Sequence, residues 1–490
     1  MNDRALPTGD LTPGDLRRDV LASLVVFLVA LPLCVGVAVA SGVPAELGLI
    51  TGIVGGLVVG FLPGSSLQVS GPAAGLTVLV FEAVQEFGLS ALGAIVVIAG
   101  LVQLLLGLLR FGRLFRAITV AVVHGMLAGI GLLLVFGQLY TMAGVEQPRS
   151  GLDKIVKVPG LVTEIATARE TLGAFAVGAA TIAVLVLWKK LPSGARAVPA
   201  PLAAVALATA ATALFGWSVP RVEVQGLLSA VQPPGVADFT ALGSLAALGT
   251  VLAFALIASA ESLFSAAAVD RMHDGPRTDY NKELMAQGVG NTVCGVLGAL
   301  PLTAVIVRSS ANVQAGARTK LSRILHGLWL VLFAALLPDA IGAIPLAALA
   351  GVLIHAGCKL VPVRELVPLW RAHRGEALVL AATAIAITTT NMFEGVLIGL
   401  VLAVVKSAWE TSHVHVDVHE TTGGRLIVAI SGSATFLRLP RMLETLEALP
   451  HDHPVELDLT ELRHLDHACR TTLESWAERR GTTIGSLAPS

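Results

Sequence analysis

Charge is the scarcest ingredient of this chain. Lys, Arg, Asp and Glu together make up 14% of its 490 residues, where an ordinary soluble chain carries roughly 25%. With 54% of residues hydrophobic and a mean hydropathy of +0.79, a soluble fold is excluded and a membrane protein is expected. No long basic run is present and the formal net charge is -1, so neither nucleic acid nor an acidic partner is expected. Cysteine is sparse too. Cys34, Cys294, Cys358 and Cys469 form no CxxC pair and no zinc spacing, so no metal site is expected, and the three in apolar segments read as small core residues. A GxxxxGK phosphate loop, a strand-bound GxGxxG, an HExxH helix and a Ser or Cys triad are all missing. Enzyme chemistry, a nucleotide-driven pump and a bound cofactor lose their support with them.

What is abundant is apolar sequence in runs of membrane length. A helix needs roughly 17 to 25 residues to cross a ~30 Å hydrocarbon core. Candidate spans fall near 20–40, 45–62, 70–86, 91–109, 117–139, 172–188, 198–215, 241–268, 281–299, 303–316, 321–337, 344–358, 375–390 and 393–410. The polar start, residues 1–19, ends in Arg17, Arg18 and Asp19; the run from Val20 to Ala40 is too long for the core of a cleavable signal and is expected as the first span. Loop charge tests the count. With the N-terminus inside, Arg110, Arg113 and Arg116, then Lys189, Lys190 and Arg196, then Arg318, Lys320 and Arg323, then Lys359, Arg364, Arg371 and Arg374 fall on one side. The opposing loops carry Glu46, Glu82, Glu86, Asp339 and Glu394, with few cations except in the longer segment from Thr141 to Thr171. This positive-inside pattern predicts a multi-pass protein of the cell (inner) membrane with both termini cytoplasmic, and an even number of spans.

Two of the spans are short and interrupted by Gly and Pro: QVSGPAAGLTVLV from Gln68 and PLTAVIVRSSANVQAG from Pro301. They rank third and tenth, the same place in each set of seven, and an odd set makes the halves inverted repeats. The fold expected is an α-helical polytopic membrane protein, fourteen spans as 7+7 inverted repeats with broken third and tenth helices. Half-helix N-termini present free N–H groups and a positive dipole end to an anion. Ser70, Gly71, Ala73 and Ala74 surround Pro72 in the third span; small residues there admit a ligand to the backbone, or serve only close helix contact. In the tenth, Pro301 is expected to open the half-helix, with Thr303, Ala304, Val305 and Ile306 offering backbone N–H groups. Arg308 is the only strong cation of that stretch. Placing it in the membrane costs about 2.5 to 3.5 kcal/mol, so it faces a cavity or sits in a structural ion pair. Glu261 lies deep in the eighth span with Ser265 one turn on, and three roles compete for it: counter-ion to Arg308, proton carrier, or cation ligand. His124 reads as a buried histidine bonded to a backbone carbonyl rather than a proton relay, and Asn312 and Gln314 as satisfiers of broken backbone.

From His413 the pattern changes. HVHVDVHE alternates as a half-buried strand, GRLIVAISG reads as a second strand and VELDLTELRHLD as a third with a turn. LPRMLETLEALP and residues 468–479 have helical spacing, with Leu473 and Trp476 on one face. Residues 413–490 are therefore expected as a small C-terminal α/β domain, separate from a transport domain at 20–410.

Four stretches occur in order, each in its expected span: GDLRRDVLASLVVFLVALPLCVGVAVASGV, QVSGPAAGLTVLV, Ala260 to Asp270 followed by ELMAQGVGN, and Pro301 to Lys320. They resemble the SulP sulfate-permease family over nearly the whole chain. The resemblance implies a cytoplasmic STAS-like C-terminal domain, a core moving relative to a gate, and a substrate held between the third and tenth helices. It implies that Arg308, by its spacing from Pro301, is the arginine near the anion site, and that the position of Glu261 is acidic in coupled transporters. Bicarbonate carriers that use sodium have an aspartate there with a hydroxyl one turn later. Glu261 and Ser265 depart from that pattern, which weakens Na+ and suits H+ coupling. Expected substrate contacts are thus Ser70, Gly71, Ala73, Ala74, Ser265, Ala304, Val305, Ile306 and Arg308, with Glu261 and Ser265 serving the coupling ion. The expected activity is symport of a small inorganic oxyanion, bicarbonate or sulfate, with H+ or Na+ by alternating access; a passive anion channel or a dicarboxylate or nucleobase permease is the alternative. The wording of the first two stretches resembles the bicarbonate branch. Asp466 and His467 stand where many members carry a phosphorylatable serine, and the chain leaves room for one more strand but no final helix. A docking or dimer-stabilising role for this domain, in a homodimer within membrane lipid, is expected over nucleotide binding.

Overall fold

Backbone in hydrocarbon has no water to bond, so apolar runs satisfy their own N–H and C=O groups by coiling into helices. The computed structural model describes residues 13–113, 119–192, 194, 198–224, 226–421, 424–450 and 453–484. Arg116 and Arg196 of the loop charges lie outside the described residues. The chain divides into two units, Met1–Gly399 and Leu400–Ser490.

Each of the fourteen expected spans has its element. The first seven are α1 (Pro13–Ala40); α2 (Ala45–Val54), prolonged by a π turn at Gly55–Val59; β1 (Ser70–Gly71), leading through a 3-10 turn at Ala74–Leu76 into α3 (Thr77–Phe87); α4 (Leu89–Leu108); α5 (Val120–Met142); then, after the short α6 (Gly151–Val156) and α7 (Val158–Thr167), α8 (Arg169–Leu187) and α9 (Ala200–Leu214). After α10 (Val236–Thr240) the second seven follow: α11 (Leu245–Asp270); α12 (Tyr280–Val296); β2 (Thr303–Ala304) with α13 (Ile306–Gln314); α14 (Leu321–Leu336); then, past α15 (Pro338–Gly342), α16 (Leu346–Leu360); and, past α17 (Val363–Ala372), α18 (Arg374–Thr389) and α19 (Met392–Thr411).

Packing repeats with the sequence. In 7+7 repeats the first span corresponds to the eighth, the second to the ninth, and so on. Accordingly α1 packs on α14 and α11 on α4; α4 packs on α12 and α14 on α2; α5 packs on α18 and α16 on α8. Elements that correspond to each other meet directly, α5 with α16 and β1 with β2, as elements beside a pseudo-twofold axis must. Spans one to four thus pack with eight to eleven, and five to seven with twelve and thirteen. The tight α4–α12 contact rests on glycines at seven-residue spacing, Gly93, Gly100 and Gly107 against Gly288 and Gly295. A methyl on Gly100 would come within 2.5 Å of Thr292 N, and one on Gly288 within 2.6 Å of Leu104 N; only glycine lets these backbones approach.

Several expectations need correction, among them the loop charge Glu46, which lies within α2 and is 2% exposed. Arg323 is not a loop charge: it is 2% exposed on α14 and donates to the carbonyls of Gly60 (3.1 Å), Leu62 (3.0 Å) and Gln68 (3.4 Å), tying the turn between the second and third spans. Cys358 is exposed, unlike Cys34 and Cys294. His124 is half-buried and its Nδ1 lies 3.3 Å from Glu365 Oε2 rather than on a carbonyl, because α17 places its carboxylate beside the start of α5.

In the second unit β3 (Val414–Glu420) pairs antiparallel with β4 (Leu426–Ala434), and β4 pairs parallel with β5 (Val455–Asp458) and, further along, with β6 (Leu462–Leu465). The short β7 (Thr483–Ile484) adds beside β5. Helices α20 (Leu439–Glu447) and α21 (His467–Arg480) supply Met442, Leu446, Leu473 and Trp476 to a core with Val428, Ile430 and Leu457. The expected third strand is in fact two. Asp458 Oδ1 accepts from Thr460 N at 3.0 Å and Thr460 Oγ1 at 2.6 Å, an Asx-type turn that breaks the run. Asp466 caps α21, accepting from Cys469 N at 2.7 Å and from Phe436 N at 2.5 Å. Burial, the largest single influence, would raise its pKa, but these two N–H donors together with the Cys469 thiol and the charge of His464 hold the carboxyl below its ordinary range.

Candidate functional site

The two broken spans meet as strands. β1 and β2 pair antiparallel with Ser70 opposite Ala304 and Gly71 opposite Thr303, and each strand runs on into a half-helix. Here the expected helix starts are corrected: the third span becomes helical at Ala74, not at Pro72, and the tenth at Ile306, not at Pro301. Strand pairing with the other half satisfies residues that a helix would otherwise have had to satisfy.

Side chains from three helices pin this pair. Ser262 Oγ on α11 accepts from Ala304 N at 3.2 Å, and its carbonyl accepts from Gln68 Nε2 at 2.9 Å. Ser265 Oγ donates to Ala304 O at 2.8 Å. From α12, Gln287 Nε2 donates to Ser70 Oγ and to Glu283 Oε1, both at 2.7 Å, while Asn291 holds Leu302 by both its carbonyl and its N–H. Ser309 Oγ on α13 accepts from Val69 N at 2.9 Å, and Val305 N donates to Val69 O at 2.9 Å. Asn312 Nδ2 donates to Leu67 O at 2.9 Å, satisfying broken backbone as expected. Ala304 and Val305 therefore do not offer free N–H groups. At the two half-helix starts, the N–H groups of Ala74 and Gly75 and of Ile306, Val307 and Arg308 find no backbone acceptor among the described residues, as is usual in the first turn of a helix.

Arg308 stands over this arrangement. It is 0% exposed; Nη2 donates to Pro72 O at 3.2 Å, the Cys34 thiol lies beside the guanidinium, and Nε and Nη1 have no hydrogen-bond partner. No ion pair joins it to Glu261 or to any other described residue, so the counter-ion and structural-pair readings have no geometry behind them. Gly71 is glycine for a reason: a Cβ there would overlap Arg308 Nη1. Gly75 is the same on the other side, where a Cβ would overlap the Glu261 carboxylate. Glu261 is half-buried, its Oε2 lacks a partner, and the Thr303 hydroxyl lies beside it. Ala73 is buried, Ala74 half-buried and Ile306 exposed. The Arg308 guanidinium thus lies against Gly71 and the Glu261 carboxylate against Gly75, both beside the β1–β2 pair. Buried cationic donors and helix-start amides are groups whose chemistry suits a small anion.

A sequence profile of the sulfate permease family matches residues 16–383. The chain belongs to the sulfate permease family. It is a multi-pass membrane anion transporter and not an enzyme. Among its relatives, the putative sulfate transporter YvdB of Bacillus subtilis is 28% identical over 79% of this chain and 73% of that one. The solved transmembrane domain of a cyanobacterial bicarbonate transporter, BicA, superposes with a TM-score of 0.68 at 25% identity, over 80% of this chain and 98% of that one. Murine Slc26a9, an anion transporter solved in the inward-facing state, shares the fold with a TM-score of 0.81 at 17% identity, over 98% of this chain and 86% of that one.

Ser262, Gln287, Asn291 and Arg323 were not anticipated as parts of the site or its frame. A signal for two of them exists: Glu283, Gln287 and Asn291 recur every fourth residue in an apolar span, a polar stripe on one helix face that must meet polar partners.

Proposed function

We propose that this chain is a secondary active transporter of a small inorganic oxyanion, bicarbonate or sulfate, working by alternating access and coupled to H+ or Na+. The observation that carries the reading is Arg308, fully buried with two unpartnered N–H directions between two half-helix starts. A buried unpaired cation is costly, and an oxyanion that accepts from it and from the helix-start amides offsets that cost. Ser70, Gly71, Ala73 and Ala74 form one wall of the proposed site and Ile306 and Arg308 the other, with Ala304, Val305 and Ser265 holding its frame.

Charge arithmetic links substrate to coupling. Arg308 contributes one positive charge and each helix start about half of one. With Glu261 ionised the site is close to +1, suited to bicarbonate; with Glu261 protonated or paired with Na+ it is close to +2, suited to sulfate. Glu261 is therefore the proposed coupling group, with Ser265 beside it. Residues 20–410 form the proposed transport domain and 413–490 a proposed docking domain; the loop cations support a cytoplasmic side for both termini. The names of the relatives, sulfate and bicarbonate transporters, agree with both substrates.

The test is uptake of labelled bicarbonate and sulfate in parallel by liposomes holding the purified protein, with a proton gradient, a sodium gradient and none. Saturable uptake of one anion, raised by one gradient, is expected. Uptake of neither overturns the oxyanion reading, and current without coupling turns it into a channel.

A further inference from the structure

Helix α17 joins the twelfth and thirteenth spans, on the face of the protein that carries the N-terminus, and none of its residues is buried. Its apolar side chains follow helical spacing: Val363, Leu366, Val367 and Trp370 occupy one arc and are 65%, 38%, 56% and 48% exposed. Arg364 and Arg371 border that arc. Glu365 lies on the opposite side, where His124 Nδ1 on α5 stands 3.3 Å from its carboxylate. That contact, with half-buried Leu369 on the same side of the helix, turns this side toward the protein and leaves the apolar arc with its arginines facing outward.

We propose that α17 is an interfacial helix that docks on anionic phospholipid. Both its ends run into membrane spans, so the helix lies at the height of the bilayer surface. An apolar arc with one tryptophan enters the boundary between headgroups and acyl chains, and arginines beside it reach back to phosphate level. Such cations are drawn to an anionic surface, and the arc is bordered by two cations and no carboxylate. A protein partner would have to displace lipid from this arc.

The experiment uses the full chain in nanodiscs of phosphatidylcholine with and without phosphatidylglycerol, and needs no transport activity. Lipid retained after extraction is measured by native mass spectrometry, and tryptophan quenching by lipids brominated near the headgroup is measured in parallel. Retention of phosphatidylglycerol over phosphatidylcholine is expected to fall several-fold in R364Q/R371Q, and a quenched emission component is expected to vanish in W370F. Equal retention in the double variant overturns the anionic-lipid assignment; a W370F spectrum with unchanged quenching overturns the docking itself.

Discussion

Arg308 and Arg323 sit on neighbouring helices of one half of the chain, both buried, and they are used in opposite ways. Arg323 spends its guanidinium on three carbonyls of the 60–68 turn. Arg308 spends one N–H on Pro72 and leaves Nε and Nη1 idle. Both arginines carry the same cost of entering a membrane protein, so burial does not distinguish them. What does is how many donors are already committed: Arg323 holds the fold with all of its nitrogens, and on the proposed reading the uncommitted donors of Arg308 are left for the anion.

The contrast breaks hardest with alanine. Arg308→Ala should lower uptake at least ~100-fold, since two charge-assisted bonds are worth about 3 kcal/mol or more, while folded yield stays near that of the parent. Arg323→Ala should do the reverse to yield, leaving three carbonyls short of donors at a cost on the order of 3 kcal/mol; detergent-phase size-exclusion profiles read this directly. Similar losses of yield in both would erase the distinction. Next in size is Gly75→Ala, whose methyl overlaps the Glu261 carboxylate; uptake should fall about tenfold as the Glu261 side chain is pushed from its position. Glu261→Gln should keep anion exchange and lose the acceleration by a gradient, and retained gradient dependence would remove Glu261 from coupling.

The smallest effect belongs to the other unit. Asp466→Ala removes the cap of α21 and should cost about 1 kcal/mol, seen as faster amide exchange in α21 with uptake unchanged. Because the Asp466 carboxyl is held below its ordinary value in the folded state, its stabilisation is complete above that ordinary value, near pH 4, and is lost as pH falls through the lowered one. Exchange of α21 in the parent chain should therefore quicken only in acid, and the variant should lack that acid limb.

Length and hydropathy made all fourteen spans legible, because crossing a bilayer is a local demand on consecutive residues. Gly and Pro marked where the third and tenth break. They did not mark where the half-helices begin, since Ser70, Gly71, Thr303 and Ala304 are strands only through each other, and a partner from the opposite half is invisible to local propensity. Arg308 stood out as a lone cation in an apolar run. Arg323 did not, because it follows a turn and looks like its loop neighbours until the 60–68 segment folds over it. The same reasoning explains β5 and β6: the break at Asp458 depends on one side chain turning back on Thr460.

The most direct test of the central claim is anion-dependent thermal stabilisation of the purified protein, parent against Arg308→Ala, titrated with bicarbonate, sulfate and, as reference, an anion too large for the site. A ligand that binds only the folded state raises the melting temperature with its concentration. The account predicts a saturable rise with bicarbonate or sulfate in the parent and none in Arg308→Ala, with equal melting temperatures when no anion is added. The same saturable rise in both proteins would contradict it and place the anion elsewhere.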